Sequence, residues 1–243
     1  MSLPVYWLES PAPDAPGASV VLGGPEGRHA VTVRRTRVGE QLDLVDGTGL
    51  RLRCEVTSLT RDSLVARVDA VTNDPESSPR LVFVQALAKG ERSESAVESV
   101  TEVGADVVVP WAASRCVVQW RGERGERSLA RWRSTALAAA KQARRSRVPE
   151  VAPLASTADV AGLIAAAALP VVLHESATAV LSSLDVPAIG DIVVVVGPEG
   201  GIAPEELDAL GVEPVRLGPT VLRTSTAGVA ACAALLTRTP RWQ

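Results

Sequence analysis

Residues Val193–Leu207 read VVVVGPEGGIAPEEL, a run of valines, a glycine-rich turn and an acidic start to a helix. A strand that feeds glycines and then a helix is the usual layout for seating a phosphate. The phosphate motifs themselves are absent. No Gly-Lys-Ser/Thr follows the glycines, and Gly197-Pro-Glu-Gly-Gly201 does not fit G-x-G-x-x-G. Pro204 suits a first helical turn, and Glu205 and Glu206 favour its dipole, which makes that helix start unwelcoming to a phosphate. Gly197, Gly200 and Gly201 let a ligand approach with no Cβ in the way. The chemistry expected here is the grip of a cationic or neutral ligand by backbone hydrogen bonds.

The elements that must position this turn follow from the hydrophobic rhythm. Up to about Val71, apolar residues stand at every second position, as in Gln41–Val45, Leu50–Val56 and Leu64–Val68, which predicts antiparallel strands. Asp46-Gly-Thr-Gly49 reads as a hairpin turn more readily than as a nucleotide loop. The first part, residues 1–72, is thus expected to be a small β-barrel. Residues 73–80 are polar, carry two prolines and read as a linker. Residues 81–243 alternate aliphatic strands with helices. Strands are predicted over Leu81–Leu87, Val107–Val109, Val171–Leu173, Ile192–Val196 and Val215–Leu217. Helices are predicted near Ser93–Val103, Ser128–Ser146, Thr157–Leu169, Pro204–Leu210 and Thr226–Thr237. Such a pattern implies an α/β fold, a parallel sheet covered on both faces, whose ligands bind outside the carboxyl ends of the strands. Three segments leave strands there: Leu173–Ser176, Gly197–Gly201 and Leu217–Thr226.

Composition excludes several classes. With 46% apolar and 22% charged residues the chain is that of a soluble globular protein. Its aliphatic runs are too short to span a bilayer, and MSLPVYWLES is no signal peptide, so a cytoplasmic location without membrane contact is expected. Cys54, Cys116 and Cys232 stand far apart, and His29 and His174 belong to no ligand cluster, so neither a disulfide framework nor a metal site is expected. The net charge of −3 hides ten basic and two acidic side chains between residues 115 and 147. That block reads either as a surface for a polyanion or as a solvated helix face.

The turn Gly197-Pro-Glu-Gly-Gly201, followed by Leu217-Gly and then Leu222-Arg-Thr-x-Thr-Ala227, resembles the signature of the SPOUT class of S-adenosylmethionine-dependent RNA methyltransferases. Within that class the chain is most similar to the RsmE-type family, which methylates N3 of a uridine in 16S ribosomal RNA. Arg28–Arg34 with Gly39 resembles the family's PUA-like RNA-binding barrel. Lys89–Arg92, Thr101–Gly104, Val109-Pro110 and Ser114-Arg115 are similar to the start of its catalytic domain, and Trp132, Gln142–Arg144 and Val148-Pro149 to its central basic helix. The chain departs from the family at Ser225, where Glu is common, at Ser99, where Lys is common, and at Lys141, where Glu is frequent.

The resemblance implies a C-terminal trefoil knot, a homodimer, and S-adenosylmethionine cradled by three turns. The residues concerned are Leu173, His174 and Glu175 in the first, Val196, Gly197, Pro198, Gly200, Gly201 and Ile202 in the second, and Leu217, Gly218, Leu222, Thr224, Thr226 and Ala227 in the third. Methyl transfer is an in-line displacement governed by positioning, and the uridine N3 proton must leave. Arg223 is the candidate to stabilise the anionic ring through its planar fork, the alternative being a salt bridge with Glu199 that braces two loops. Glu199 is a candidate base or a carboxylate that offsets the sulfonium charge. His174 is expected to contribute main chain, and Thr226 to cap the last helix. Arg28, Arg34, Arg35 and Arg37 of the barrel, with Arg144, Arg145 and Arg147 of the basic helix, are the expected contacts to the RNA of the small ribosomal subunit. The competing readings are a non-catalytic RNA-binding or ribosome assembly factor and, further off, a nucleotide hydrolase on the glycine turn.

Overall fold

The computed structural model describes residues 3–8, 12–13 and 15–242. The chain forms two compact units. The first comprises Met1–Glu76 with Ala140–Val148, and the second Ser77–Ala139 with Pro149–Gln243.

The first unit contains strands β1 (Val5–Trp7) and β2 (Ser19–Leu22), the short helix α1 (Gly24–Arg28) continued by a π-helical turn over His29–Val33, then β3 (Gln41–Val45), β4 (Leu50–Leu59) and β5 (Leu64–Asn73). The strand order is β1-β3-β4-β5-β2. The expected barrel is therefore realised as a five-stranded half-barrel, with β1 and β2 at its edges. Alternation places Leu42, Leu44, Leu52, Cys54, Val56, Leu64, Ala66 and Val68 in one apolar core. Asp46-Gly-Thr-Gly49 is the hairpin turn between β3 and β4: the Asp46 carboxylate accepts the Thr48 N–H at 2.8 Å and the Thr48 hydroxyl at 2.7 Å. Residues 140–148 join this unit through Lys141, whose ammonium meets the Glu26 carboxylate at 3.0 Å, and through Arg147, whose guanidinium donates to the Asp74 carbonyl at 2.7 Å.

The second unit is a parallel α/β sheet. It contains β6 (Arg80–Ala86), α2 (Arg92–Val103), β7 (Val107–Trp111), α3 (Gly122–Gln142, its last residues in the first unit), β8 (Glu150–Val151), α4 (Thr157–Ala166), β9 (Leu169–Leu173), β10 (Ala179–Val180), β11 (Asp191–Val196), α5 (Pro204–Leu210), β12 (Val215–Arg216) and α6 (Thr224–Leu236). The strand order is β10-β12-β9-β11-β6-β7-β8. Both faces are covered. Leu81, Phe83, Ile192 and Val194 pack with Val97 and Val100 of α2, Trp132 and Ala136 of α3, and Ala231, Cys232 and Leu235 of α6. Val82, Val84, Val193 and Val195 pack with Val160 and Ile164 of α4 and Leu210 of α5. Near-continuous aliphatic strands are what a sheet buried on two sides requires.

Three helices differ by more than one residue from the sequence expectation. Helix α3 begins at Gly122 and stops at Gln142, so Arg144, Arg145 and Arg147 lie beyond it. Helix α4 ends at Ala166, which frees Leu169 to open β9. Helix α6 begins at Thr224, with Arg223 in the N-cap position and no side-chain cap; Thr226 lies inside the first turn and its hydroxyl donates to the Arg223 carbonyl at 3.2 Å. Gly228 of α6 lies directly on the Phe83 ring, where any Cβ would collide. Among the described residues no helix is long and apolar enough to cross a membrane.

Candidate active site

The carboxyl ends of β9, β11 and β12 lie side by side, because β11 pairs with β9 and β9 with β12. The turns that leave them enclose a cavity of about 450 Å³, together with the start of α6 and Arg92 of α2. Of the residues expected to hold a cofactor, Leu173, His174, Glu175, Val196, Gly197, Pro198, Gly201, Ile202, Leu217, Gly218, Leu222, Thr224 and Ala227 line it, as do Glu199 and Arg223. Gly200 and Thr226 do not. A Cβ on Gly200 would meet Arg115 at 3.3 Å, and the Arg115 guanidinium donates to the Gly200 carbonyl at 3.2 Å.

The glycines answer first to the turn itself. A Cβ on Gly197 would come within 2.6 Å of the Ile202 side chain, which already fills that space. Gly201 has a φ of 73°, a left-handed conformation that closes the turn by donating its N–H to the Pro198 carbonyl at 2.9 Å. Glu206 holds the turn from behind. It is buried in the first turn of α5, accepts the Ser114 N–H and hydroxyl at 2.8 Å each, and accepts the Thr157 hydroxyl at 2.9 Å. Burial pushes the pKa of its carboxyl group up, but these donors and the Ala203 N–H outweigh that, and it lies below the ordinary glutamate value.

Glu199 is engaged on one side. Its carboxylate accepts the Lys89 N–H and the Arg92 guanidinium, each at 3.2 Å. Partial burial raises its pKa, yet its own N–H, that of Lys89 and the Arg92 guanidinium together hold it below the usual carboxylate range. The salt bridge weighed between Glu199 and Arg223 is not formed. Arg223 is exposed, and among the described residues its side chain has no hydrogen bond or ion pair. His174 accepts the Ser176 N–H at its Nδ1 and gives its own N–H to Val215, tying the first turn to β12. The third turn is different. Among the described residues, no peptide group from Leu217 to Leu222 has a protein hydrogen-bond partner. Apolar walls from Val196, Ile202, Val215 and Leu217 beside these open peptide groups suit a ligand with an apolar ring and several hydrogen-bonding atoms.

Arg92, Val215, Arg216, Thr220 and Val221 also line the cavity and were not singled out for it in the sequence. Arg92 reaches it because Ser93 closes the loop before α2, accepting the Ala88 N–H at 3.0 Å and donating to the Ala88 carbonyl at 3.1 Å. Among the described residues no group of three or more His, Cys, Asp or Glu side chains has the arrangement of a metal site. The expected RNA contacts all fall in the first unit. Arg28, Arg34, Arg35, Arg37 and Arg144 are exposed, Arg145 is half-buried, and Arg147 is committed to the Asp74 carbonyl.

Residues 75–236 match the family model described as an RNA methyltransferase domain, and residues 22–69 that of an RNA methyltransferase PUA domain. The chain is 48% identical over 233 residues to the ribosomal RNA small subunit methyltransferase E of Mycobacterium bovis, covering 93% of this chain and 89% of the relative. It is 31% identical over 236 residues to the protein of the same name from Bacillus subtilis, covering 91% and 90%. Among solved structures, the ribosomal RNA small subunit methyltransferase E of Neisseria gonorrhoeae bound to S-adenosyl methionine superposes with a TM-score of 0.80 at 28% identity, covering 98% of both chains. A Legionella pneumophila methyltransferase with bound S-adenosylmethionine gives 0.80 at 26% identity, covering 98% of this chain and 99% of the other.

Proposed function

The chain belongs to the ribosomal RNA small subunit methyltransferase E family, and on that premise we propose that it methylates N3 of a uridine in 16S ribosomal RNA with S-adenosylmethionine as donor. The observation that carries the reading is the convergence of three strand-end turns on one cavity whose third turn offers unpaired peptide groups. The donor supplies an electrophilic methyl carbon on a sulfonium. Peptide groups of the cavity-lining residues, above all those of the third turn from Leu217 to Leu222, would hold it, and Val196, Ile202 and Leu217 would exclude water from its apolar part. Arg223, without a hydrogen bond or ion pair among the described residues, donates to a uracil carbonyl and stabilises the negative charge left on the ring when the N3 proton passes to solvent. Glu199, fixed by Arg92, balances positive charge in the site.

The first unit serves as the RNA-binding module, with Arg28, Arg34, Arg35, Arg37 and Arg144 on phosphates. In this reading residues 1–72 bind RNA, 73–80 link, and 81–243 carry the transfer, with the turns threaded as a trefoil knot. The enzyme acts as a homodimer in the cytoplasm, where its substrate is assembled. The test is incubation with labelled S-adenosylmethionine and small ribosomal subunits lacking the modification, followed by nucleoside analysis. Label on N3 of a uridine is expected. No transfer from folded protein that still binds RNA would overturn the reading in favour of an assembly factor.

A further inference from the structure

The hydroxyl of Thr224 joins two distant parts of the second unit. It donates to the Gly197 carbonyl at 2.9 Å and accepts the carboxamide Nε2 of Gln85 at 2.8 Å. The same Nε2 donates to the Ala86 carbonyl at 2.9 Å. Gln85 is fully buried, in register with Val196 of β11 on one side and Pro110 of β7 on the other. Among the described residues its Oε1 has no hydrogen-bond partner. An acceptor buried without a donor costs free energy that an apolar residue of the same size would not. Position 85 is therefore polar at the expense of the fold, and what it secures is the orientation of one hydroxyl. With the Gln85 N–H directed at the Thr224 oxygen, the hydroxyl proton is left to point at Gly197.

Both ends of that link reach the cavity. Gly197 opens the second turn, and Thr224 follows Arg223 at the start of α6. Resting on the function proposed above, we infer that Gln85 is a positioning residue: through Thr224 it locks the Gly197 carbonyl to the start of α6, so that the second and third turns present one preformed seat for S-adenosylmethionine. Gln85 itself is not among the residues lining the cavity and takes no part in the chemistry.

The experiment compares Gln85→Met, Thr224→Val, their combination and Thr224→Ser with the natural protein. Calorimetry with S-adenosylmethionine, the unliganded thermal midpoint, and kcat and KM are read for each. Gln85→Met should keep or raise the midpoint and bind S-adenosylmethionine about tenfold more weakly, the scale of one hydrogen bond. KM should rise more than kcat falls. Thr224→Val should do the same from the other side, the double variant should be no worse than either single one, and Thr224→Ser should restore binding. Affinity within about twofold of the natural protein in both Gln85→Met and Thr224→Val, whatever the midpoint, would overturn the inference and leave Gln85 a packing residue. Should Gln85→Met not fold, Gln85→Leu takes its place, because Thr224 lines the cavity and its variants alone do not separate the link from direct contact with the ligand. Absence of S-adenosylmethionine affinity in the natural protein would instead overturn the underlying function, and this inference with it.

Discussion

Arg92 donates to Glu199 at 3.2 Å, and the carboxylate that faces the cavity is thereby committed to a guanidinium from a different element. A carboxyl group whose folded pKa lies below its unfolded one contributes stability above the unfolded value and loses it as pH falls through the folded value. For Glu199 that window lies below the usual carboxylate range, well under neutrality. Glu199→Gln should therefore leave the shape of the kcat profile between about pH 6 and about pH 9 unchanged and lower transfer by less than about tenfold. Rate measurements across that range check it, and loss of an ascending limb in the variant would make Glu199 the base. Arg92→Ala should change folding stability by less than about 1 kcal/mol, because the pair is partly exposed.

Arg223→Ala removes a guanidinium that no other described residue engages. Transfer should fall by about 100-fold or more while S-adenosylmethionine affinity is largely kept, the signature of an interaction made with the reacting base. Single-turnover rates with calorimetry on the same samples test this. Arg223→Lys should recover little, since one ammonium does not reproduce the planar fork.

Gly228→Ala is predicted to act against its usual sign. On an exposed helix the change stabilises by about 1 kcal/mol, but here the new methyl meets the Phe83 ring. A loss of about 2 kcal/mol is expected from overpacking, read as a lowered urea midpoint with an unchanged slope.

Arg35 and Arg144 both adopt left-handed backbone conformations, with φ of 60° and 56°. Each follows a helical segment, in the place glycine usually takes. Arg35→Gly should raise stability by about 1 kcal/mol by relieving that strain. In the same variant, binding to 16S ribosomal RNA should weaken, and the salt slope of binding should fall by about one. Urea unfolding and fluorescence anisotropy at several salt concentrations separate the two effects.

The elements near the site were legible because their signals are local. The aliphatic strand before Gly197, the Pro204 start of α5 and the left-handed Gly104 after α2 each mark a boundary within a few residues. Helix α3 was misplaced for a local reason too. Gly122 and Gly125 argue against a helix, yet Gly125 packs against Trp120, where a Cβ would come within 3.0 Å of the backbone, and the left-handed Arg144 ends the helix early. The contacts of Arg92, Glu206 and Gln85 were not legible. Their partners lie 107, 92 and 139 positions away, and no spacing rule reaches that far. The sequence reads the glycines of the second turn as room for a ligand, whereas the side chain of Ile202 occupies the space beside Gly197 and Arg115 that beside Gly200, neighbours no motif reveals.

The lid of α6 over β6 has a consequence for biosynthesis. Phe83 leaves the ribosome long before Gly228, so the part of this sheet face that α6 covers, the Phe83 ring included, stays open after α2 and α3 have been made. During that interval the nascent polypeptide displays a greasy surface to the cell. A chaperone that recognises such surfaces would meet this chain before α6 is complete.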